Sequence, residues 1–294
     1  MRKLVKKAVS KHRPRHLGGV VLGNLGFCTS WAINNRIRGR EWIETVDVDL
    51  RISGLPEAFE GKRLVQVSDL HCSRTVSCKY LKHCIDRINH LKPDIVVLTG
   101  DYVTCDVLGR FSEKVIRLIS DISSRYGVYA CMGNHDYGTE KLISISRHNR
   151  LRLLMDGMED CGVTVLRNES TVLEIDSQPL RFVGMGDIWA KDFHPDRAFR
   201  KVRRNESVIV LSHNPATAEH LSGYSYDAMM SGHTHGSAVL FSASSERPLV
   251  HRPDYVAGMY SSGSRKIYVN RGLGRHGRVF NARPEITVFT LRPD

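Results

Sequence analysis

Residues 93–101, PDIVVLTGD, decide the fold class of this chain. The stretch opens at Pro93, continues as a run of apolar residues and closes at Gly100-Asp101. A short apolar run between turn-forming residues is typical of a strand that is buried on both faces. The preceding residues 80–92 carry apolar side chains at helical spacing. The sequence therefore predicts a helix that leads into a buried strand, and the strand ends in a carboxylate.

The same pattern recurs on both sides of this stretch. Further apolar runs that end in polar residues lie at 62–69, 127–136, 207–215 and 226–236. Helices are predicted near 113–124, 139–160 and 196–204, and further strands at 45–52, 163–187, 266–274 and 285–291. The order β-α-β-α-β, followed by sequence that is richer in strands, predicts an α/β sandwich with mixed sheets.

The charge of the chain is concentrated at its N-terminus. The net charge is +12 over 294 residues, but residues 1–40 contain ten Lys or Arg and no Asp or Glu. Residues 41–294 are therefore nearly neutral, which argues against nucleic acid as a partner of that part. We expect two parts: a basic and apolar N-terminal arm at 1–40 and a single domain at 41–294.

Inside this arm, residues 16–35 form an uncharged run that resembles a signal peptide or a signal anchor. Polar residues and several glycines make the run a poor transmembrane helix. Basic residues beside an apolar stretch also suit peripheral attachment to an anionic membrane surface. Two alternatives stay open: association with the membrane, or a soluble cytoplasmic protein with an ordinary N-terminal helix.

The seven cysteines do not form a recognisable framework, because their number is odd and no CxxC pair occurs. This usage argues for a reducing compartment or for buried thiols. Cys72 and Cys105 lie close in sequence to the polar strand ends, and we interpret both as small buried residues.

Nine polar side chains follow the five apolar runs, and together they predict a metal centre. Ligands of open α/β sheets gather at the carboxyl ends of the strands. Each motif alone is also explained as a helix cap or a turn, but five in one chain are not five independent turns. The nine residues are Asp69, His71, Asp101, Asn134, His135, Asp136, His213, His233 and His235.

The mixture of carboxylate, imidazole and amide groups indicates which metals would bind. Such ligands suit Mn²⁺, Fe²⁺ or Zn²⁺. Their number exceeds one tetrahedral site and suits two neighbouring ions, which is the arrangement that clamps the oxygens of an in-line phosphoryl displacement. In GHTHG, residues 232–236, an extended backbone would direct His233 and His235 to the same side, and the glycines would let a bound group approach.

The ordered set DxH, GD, GNHD, an apolar strand ending in His, and GHxH resembles the calcineurin-like metallophosphoesterase superfamily. The resemblance covers residues 69–235, and the C-terminal RGLG and RPEITVFTL are similar to the end of the same catalytic domain. It implies a four-layer α/β sandwich of two mixed β-sheets flanked by helices. Within the superfamily the chain resembles the bacterial membrane-associated phosphohydrolase branch, which includes enzymes that cleave UDP-2,3-diacylglucosamine in lipid A synthesis.

The resemblance also implies roles for the residues. It assigns seven ligands of two divalent ions, Mn²⁺ first and Fe²⁺ or Zn²⁺ as alternatives: for the first ion Asp69, His71 and His235, for the bridge Asp101, and for the second ion Asn134, His213 and His233. A metal-bridging hydroxide would attack phosphorus. His135 would protonate the leaving oxygen or stabilise the transition state, and Asp136 would orient the His135 ring and balance its charge.

The expected function is hydrolysis of a phosphodiester or pyrophosphate bond, with UDP-2,3-diacylglucosamine or another lipid-linked phosphate as the substrate. The alternatives are a nuclease, a broad-specificity soluble phosphodiesterase or phosphatase, and a scaffold that has lost its ligands, although none is missing here. The branch implies the bacterial inner membrane, with the catalytic domain in the cytoplasm.

Two positions near the motifs bear on the substrate. GHTHG continues with Ser237-Ala238, where close relatives often have Gly-Gln, so the substrate does not follow from the resemblance. Asp187 in GMGDIW is either a residue of the site or a simple turn acid.

Overall fold

The computed structural model describes residues 42–104, 106, 109–138, 144–236, 255–274 and 282–294. The predicted arm at 1–40, Cys105 and Ser237-Ala238 lie outside the described residues. No helix within the described ranges combines the length and the apolar character that crossing a membrane requires.

The order of elements follows the predicted alternation. The first half contains β1 (Glu44–Ile52), β2 (Arg63–Val67), α1 (Cys78–His90), β3 (Ile95–Thr99), α2 (Arg110–Ile119), β4 (Val128–Cys131) and α3 (Ser144–Asp160). The second half contains β5 (Val163–Val165), β6 (Glu169–Ile175), β7 (Gln178–Gly184), α4 (Pro195–Phe199), β8 (Val208–Leu211), β9 (Ala228–Ser231), β10 (Gly258–Ser262), β11 (Arg265–Val269) and β12 (Glu285–Pro293).

Several elements differ from the sequence-based expectation. The α2 helix spans Arg110–Ile119 rather than 113–124. It begins earlier because the Asp106 carboxylate accepts the amides of Phe111 at 3.0 Å and Ser112 at 2.6 Å in its first turn. Short 3-10 helices at Glu57–Phe59 and Pro215–Leu221 were not predicted, nor was β10. The β10 strand has mostly polar and exposed residues, so it lacks the apolar run that marks the central strands.

The α1 helix shows how the apolar spacing becomes packing. The hydroxyl oxygen of Ser77 caps the helix by accepting the amide of Tyr80 at 3.3 Å. The buried side chains of α1 recur at helical spacing and form a single stripe: Leu81, Cys84, Ile85 and Ile88.

The strands form two mixed six-stranded sheets. The first has the order β1-β12-β2-β3-β4-β5 and the second the order β10-β11-β9-β8-β7-β6. The β2, β3 and β4 strands run parallel, as do β8 and β9. The prediction of an α/β fold with two mixed sheets flanked by helices is confirmed.

A hydrophobic core joins the strands of both sheets, with members such as Leu64, Val97, Phe182 and Ile209 that are essentially inaccessible to solvent. A polar contact also crosses between the sheets, because the Gln66 side chain donates to the carbonyl of Ser231 at 2.9 Å. The carboxyl ends of β2 and β9 therefore lie side by side.

Candidate metal centre

Five site residues adopt a backbone conformation that ordinary residues avoid. Their φ angles lie between 48° and 74°, in the left-handed region, at the point where a strand has ended: Asp69, His71, Asp101, His233 and His235. Non-glycine residues in this region carry strain, and such strain clusters at functional sites. The fold therefore turns the chain sharply after β2, β3 and β9 so that these side chains converge.

The first cluster consists of Asp69, His71 and His235, all of which are buried. Nε2 of His71 lies 3.1 Å from Nε2 of His235 and 3.7 Å from Oδ1 of Asp69. Nε2 of His235 lies 3.5 Å from the same Asp69 oxygen. Three ligand atoms from two different sheets thus face one point.

The second cluster consists of Asp101, His213 and His233, which are also buried. Nε2 of His213 lies 3.1 Å from Oδ2 of Asp101 and 3.2 Å from Nδ1 of His233. The clusters are neighbours, because Oδ2 of Asp101 also lies 3.6 Å from Nε2 of His71.

The donor atoms fit divalent cations. Two atoms that each lie about 2.1 Å from one ion in a tetrahedral site are about 3.4 Å apart, and the distances within both clusters are close to this value. Buried polar atoms that lack a hydrogen-bond partner point to the same conclusion. Three such atoms are side-chain oxygens of this region: Oδ1 of Asp69, Oδ1 of Asn134 and Oδ2 of Asp187.

The electrostatics keep two of the imidazoles neutral, as metal ligands must be. Burial, and then the neighbouring His213, lower the pKa of His233 to about 3. Burial lowers the pKa of His235 to about 4, against the opposing effect of Asp69. Burial acts in the same direction on His213, but Asp101 and then Asp69 hold its pKa well above its usual value.

The two carboxylates of the clusters are ionised. Burial alone would raise the pKa of Asp69, but His235, His213 and His71 lower it below its usual value. For Asp101 burial again opposes ionisation, and His213, His135 and His71 outweigh it, so that the pKa lies well below the usual range. The site therefore presents negative charge to a cation.

Two threonines that were not among the predicted site residues, Thr99 and Thr104, orient the rings of His213 and His71. Nδ1 of His213 lies 2.7 Å from the carbonyl oxygen of Thr99, so this nitrogen carries a proton and Nε2 is the atom that faces Asp101. The Thr104 hydroxyl lies 3.2 Å from Nδ1 of His71 and directs Nε2 toward the cluster in the same way. Both threonines lie within three residues of Asp101 in sequence, but no local motif predicts which imidazole they contact.

A backbone carbonyl positions the histidine of the GNHD turn. Nδ1 of His135 contacts the Thr104 carbonyl oxygen at 2.8 Å, so that carbonyl orients the ring. Burial lowers the pKa of His135, although Asp101 opposes this effect. His135 also lies with His71 and Asp101 in a third group of candidate ligand atoms.

Asp136 connects two loops. Its Oδ2 accepts the amides of Asp101 and Gly133, both at 2.9 Å, and its Oδ1 accepts those of Tyr102 at 2.8 Å and Val103 at 3.4 Å. Burial, and then the Asp101 carboxylate, raise the pKa of Asp136 to about 7, while the amides act in the opposite direction. The oxygens of Asp136 thus hold the backbone of the loop that carries Asp101, and the expected orientation of the His135 ring by Asp136 stays a prediction.

The GHTHG segment is not extended. His233 and His235 have φ angles of 74° and 53°, so they do not share one side as they would on an extended strand. The two rings belong to different clusters. Thr234 between them donates its hydroxyl to the carbonyl of Val256 at 2.5 Å.

Glycines in this region let protein segments approach one another. A Cβ atom on Gly232 would lie 1.9 Å from Oγ of Ser68 and 2.3 Å from Oδ2 of Asp69. A Cβ atom on Gly272 would lie 2.6 Å from Cβ of Asp69. The space that we predicted for a bound group at Gly232 is therefore taken by the Asp69 side chain.

Asp187 is both a turn acid and a neighbour of the clusters. Its Oδ1 accepts the amide of Ala190 at 2.8 Å, as in a turn, and its Oδ2 is buried without a hydrogen-bond partner. Burial raises its pKa to about 6, and the His213 ring opposes this shift.

Cys72 is buried and unpaired, as predicted, and its Sγ lies 4.0 Å from Sγ of Cys78. Burial raises the pKa of the Cys72 thiol to about 12, so the thiol stays protonated near neutral pH. The interpretation of Cys72 as a small buried residue is confirmed.

The strand ends bring together ionised carboxylates, imidazoles and buried ligand atoms that lack a hydrogen-bond partner. Such a set is typical of the site of a metal-dependent phosphoesterase. Comparison with known proteins agrees, because the calcineurin-like phosphoesterase family matches residues 62–237. The chain belongs to this family and is a metal-dependent phosphoester hydrolase.

Similar proteins come from several bacteria. UDP-2,3-diacylglucosamine pyrophosphatase LpxG of Chlamydia trachomatis is 31% identical, over 80% of this chain and 86% of its own length. Phosphodiesterase YaeI of Escherichia coli is 35% identical over 78% of this chain and 82% of its own. The uncharacterized metallophosphoesterase YkuE of Bacillus subtilis is 33% identical over 85% of this chain and 86% of its own.

Proposed function

We propose that this protein is a two-metal phosphohydrolase that cleaves a phosphodiester or pyrophosphate bond. The observation that carries the proposal is the position of Asp101, whose Oδ2 lies 3.6 Å from Nε2 of His71 and 3.1 Å from Nε2 of His213. One carboxylate oxygen thus lies between the two clusters, as a bridging ligand requires. When bound, two divalent ions would supply an activated water and neutralise charge on the phosphate.

The residues of the chain would divide the work. Asp69, His71 and His235 would hold the first ion, and Asp101, Asn134, His213 and His233 would complete the bridge and hold the second. This assignment is supported by the two clusters and by the unpaired Oδ1 of Asn134. Mn²⁺ suits the mixed oxygen and nitrogen donors, with Fe²⁺ and Zn²⁺ as alternatives.

His135 would transfer a proton to the leaving oxygen. The Thr104 carbonyl accepts from Nδ1 and fixes the ring, so Nε2 is the atom that would carry the transferred proton. Because burial lowers the pKa of His135, the ring would first take up this proton from solvent and donate it as the imidazolium. Asp136 would position His135 indirectly. It accepts the amides of Asp101 and Gly133 and thereby holds the turn that carries His135.

The substrate is proposed to be a lipid-linked pyrophosphate of the type cleaved by UDP-2,3-diacylglucosamine pyrophosphatase. The similarity to LpxG supports this choice. The ten basic residues in 1–40 support it too, because a basic arm would bring the enzyme to an anionic bacterial inner membrane, peripherally or through an anchor, with the catalytic domain in the cytoplasm.

A substrate panel with the full chain tests both the two-metal site and the lipid-linked substrate. The protein is loaded with Mn²⁺, Fe²⁺ or Zn²⁺ and given UDP-2,3-diacylglucosamine, UDP-N-acetylglucosamine, bis(p-nitrophenyl) phosphate and p-nitrophenyl phosphate. We expect two ions per chain by plasma mass spectrometry, and release of UMP from the acylated substrate in preference to the unacylated one. Full activity with one ion per chain would overturn the two-metal proposal. Brisk turnover of the diester without UMP release would overturn the lipid-linked substrate.

Membrane attachment has a separate test. Full-length protein is sedimented with vesicles of pure phosphatidylcholine or with a quarter of phosphatidylglycerol, with and without the changes Lys6→Gln and Lys7→Gln. Binding that needs the anionic lipid and weakens with both changes supports the role of the arm. Equal binding to both vesicles contradicts it.

A further inference from the structure

One aromatic ring lies at the metal clusters and remains exposed. Four large apolar side chains in the described residues are exposed: Leu153, Val172, Trp189 and Met259. Of these, Trp189 is the aromatic one, and 41% of its surface is accessible. The centroid of its ring lies 4.3 Å from that of His233, with the two planes at 89°. The indole therefore lies against a residue of the second cluster while a large part of it faces solvent.

The turn that carries Trp189 is held at several points. The Asp187 carboxylate accepts the amide of Ala190 at 2.8 Å, and the Asp187 carbonyl accepts the amide of Asp192 at 3.1 Å. Oδ2 of Asp192 accepts the Tyr137 hydroxyl and the Arg167 guanidinium, both at 2.6 Å. The turn is thus fixed both within itself and to the loop that follows GNHD.

A second anchor fixes both ends of the same turn. Oδ1 of Asn168 accepts the amides of Gly186 at 2.9 Å and His194 at 3.0 Å, and its Nδ2 donates to the Asp192 carbonyl at 2.6 Å. A side chain on Gly186 would collide with the Asp192 carbonyl, since its Cβ would lie 2.1 Å away. A ring on so constrained a turn loses little freedom when it binds a ligand.

We propose that Trp189 is a specificity-determining residue, and that its indole stacks on a planar organic group attached to the phosphate that binds at the two clusters. The inference rests on the proposed function, because it needs a phosphate at that place. An exposed indole is a large apolar surface with a negative face, and it gains from contact with a flat unsaturated ring such as a nucleobase.

The surroundings favour a planar group over an acyl chain. An acyl chain needs a trough of several exposed apolar side chains, whereas Trp189 is the one exposed large apolar residue of its turn. Its neighbours Ile188 and Ala190 are partly buried, and the rest of the turn is polar: Asp187, Lys191 and Asp192. In the described part of the structure, the other exposed large apolar residues lie elsewhere, on α3, β6 and β10. A single ring matches the size of one planar substituent.

The stacking role of Trp189 is tested with phosphonates, which bind at the site but are not cleaved, so that the rate of leaving-group departure does not affect the result. Inhibition constants of phenylphosphonate, methylphosphonate and octylphosphonate are measured against bis(p-nitrophenyl) phosphate for the full-length, metal-loaded protein. We expect Trp189→Ala to raise the inhibition constant of phenylphosphonate on the order of tenfold and to change that of methylphosphonate little. Trp189→Phe should keep most of the preference for the phenyl compound. Leu153→Ala, which removes another exposed apolar side chain, is the matched control and should behave as wild type.

Three outcomes would overturn the inference, and they differ from a failure of the proposed function. Unchanged phenyl-to-methyl selectivity in an active Trp189→Ala enzyme removes the stacking role. A loss confined to octylphosphonate assigns the ring to an acyl chain instead. Quenching of tryptophan fluorescence by phenylphosphonate that persists in Trp189→Phe also contradicts it. If no phosphonate binds and no phosphoester is cleaved, the proposed function fails together with the inference.

Discussion

Nε2 of His213 lies 3.1 Å from Oδ2 of Asp101, and the two side chains come from different sheets. Both are buried, and the His213 ring is fixed from its other nitrogen by the Thr99 carbonyl. This contact joins the carboxyl ends of β3 and β8. The metal centre is therefore a property of the way the two sheets face each other.

Replacement of Asp101 tests whether its carboxylate connects the two clusters. Asp101→Asn removes the charge shared by the clusters, so we expect turnover to fall by about 10²- to 10³-fold and bound metal to drop below two ions per chain. Because ions bind only the folded state, Mn²⁺ should also raise the melting temperature less than it does for wild type. Metal content, turnover and thermal unfolding are measured. Asp121→Asn, on an exposed carboxylate, is the control. Full metal content in Asp101→Asn would contradict the bridging role.

The role of His135 predicts a dependence on the leaving group. A proton donor contributes about 10²- to 10⁴-fold when the departing oxygen is basic, and little when it is p-nitrophenolate. His135→Ala should therefore impair cleavage of an alkyl phosphodiester far more than that of bis(p-nitrophenyl) phosphate. Rates with both substrates are compared, with His90→Ala as the exposed control. An equal loss on both substrates would rule out proton donation.

Asp136 is expected to matter for stability. Asp136→Asn replaces one of two oxygens that together accept four backbone amides, so at least one buried amide loses its partner. We expect the free energy of unfolding to fall by about 2 kcal/mol, measured by urea denaturation. Asp156→Asn, whose side chain is half exposed, is the control and should change it little. Wild-type stability in Asp136→Asn would show that the loops do not depend on this carboxylate.

Gly232 permits the close approach of Ser68 and Asp69. Gly232→Ala should displace the Asp69 side chain, because the new Cβ would lie 1.9 Å from Oγ of Ser68 and 2.3 Å from Oδ2 of Asp69. We expect metal affinity to fall at least tenfold. Gly223→Ala is a matched control, since a Cβ there meets nothing within 4 Å. Metal titration followed by calorimetry measures both, and similar affinities would contradict the packing argument.

The Arg181–Glu206 ion pair predicts a pH dependence of stability. The two groups are joined twice, with Nη2 of Arg181 at 3.0 Å from Oε1 of Glu206, and their side chains are 9% and 17% exposed. Hydrogen bonding from Arg181 lowers the pKa of Glu206 below its usual value of 4.5. A lowered pKa stabilises the folded state above 4.5, and the contribution disappears as pH falls through the folded-state pKa.

Glu206→Gln should therefore cost about 2 kcal/mol of unfolding free energy at pH 7 and progressively less as pH falls below 4.5. Urea denaturation across this pH range measures the difference from wild type. Glu174→Gln, on an exposed residue of β6, should show no such trend. A difference that stays constant with pH would show that the pair does not titrate as described.

The nine polar residues could be found from the sequence because each follows an apolar run that is itself local. Residues such as Asp101 and His213 are marked by the strand that precedes them, and parallel strands must deliver their ends to one edge. The alternation of strands and helices, and hence the two mixed sheets, follows from the same short-range patterns. The exposed β10 strand could not be predicted because it lacks that pattern.

The partners of these residues could not be found in this way. Asp136 lies beside His135 in sequence, yet its oxygens accept amides more than thirty residues away. His233 and His235 belong to different clusters, and both residues adopt left-handed backbone conformations that the sequence pattern does not reveal.

The sequence by itself determined the strands, the polar residues at their ends and therefore the chemistry available to the site. Only the tertiary structure decided which imidazole faces which carboxylate, that Thr99 and Thr104 orient two of the rings, and that Trp189 lies on His233. The physical reason is that strand patterns are set by neighbours along the chain. Hydrogen-bond partners and ring contacts are set by how two sheets pack, which joins residues distant in sequence.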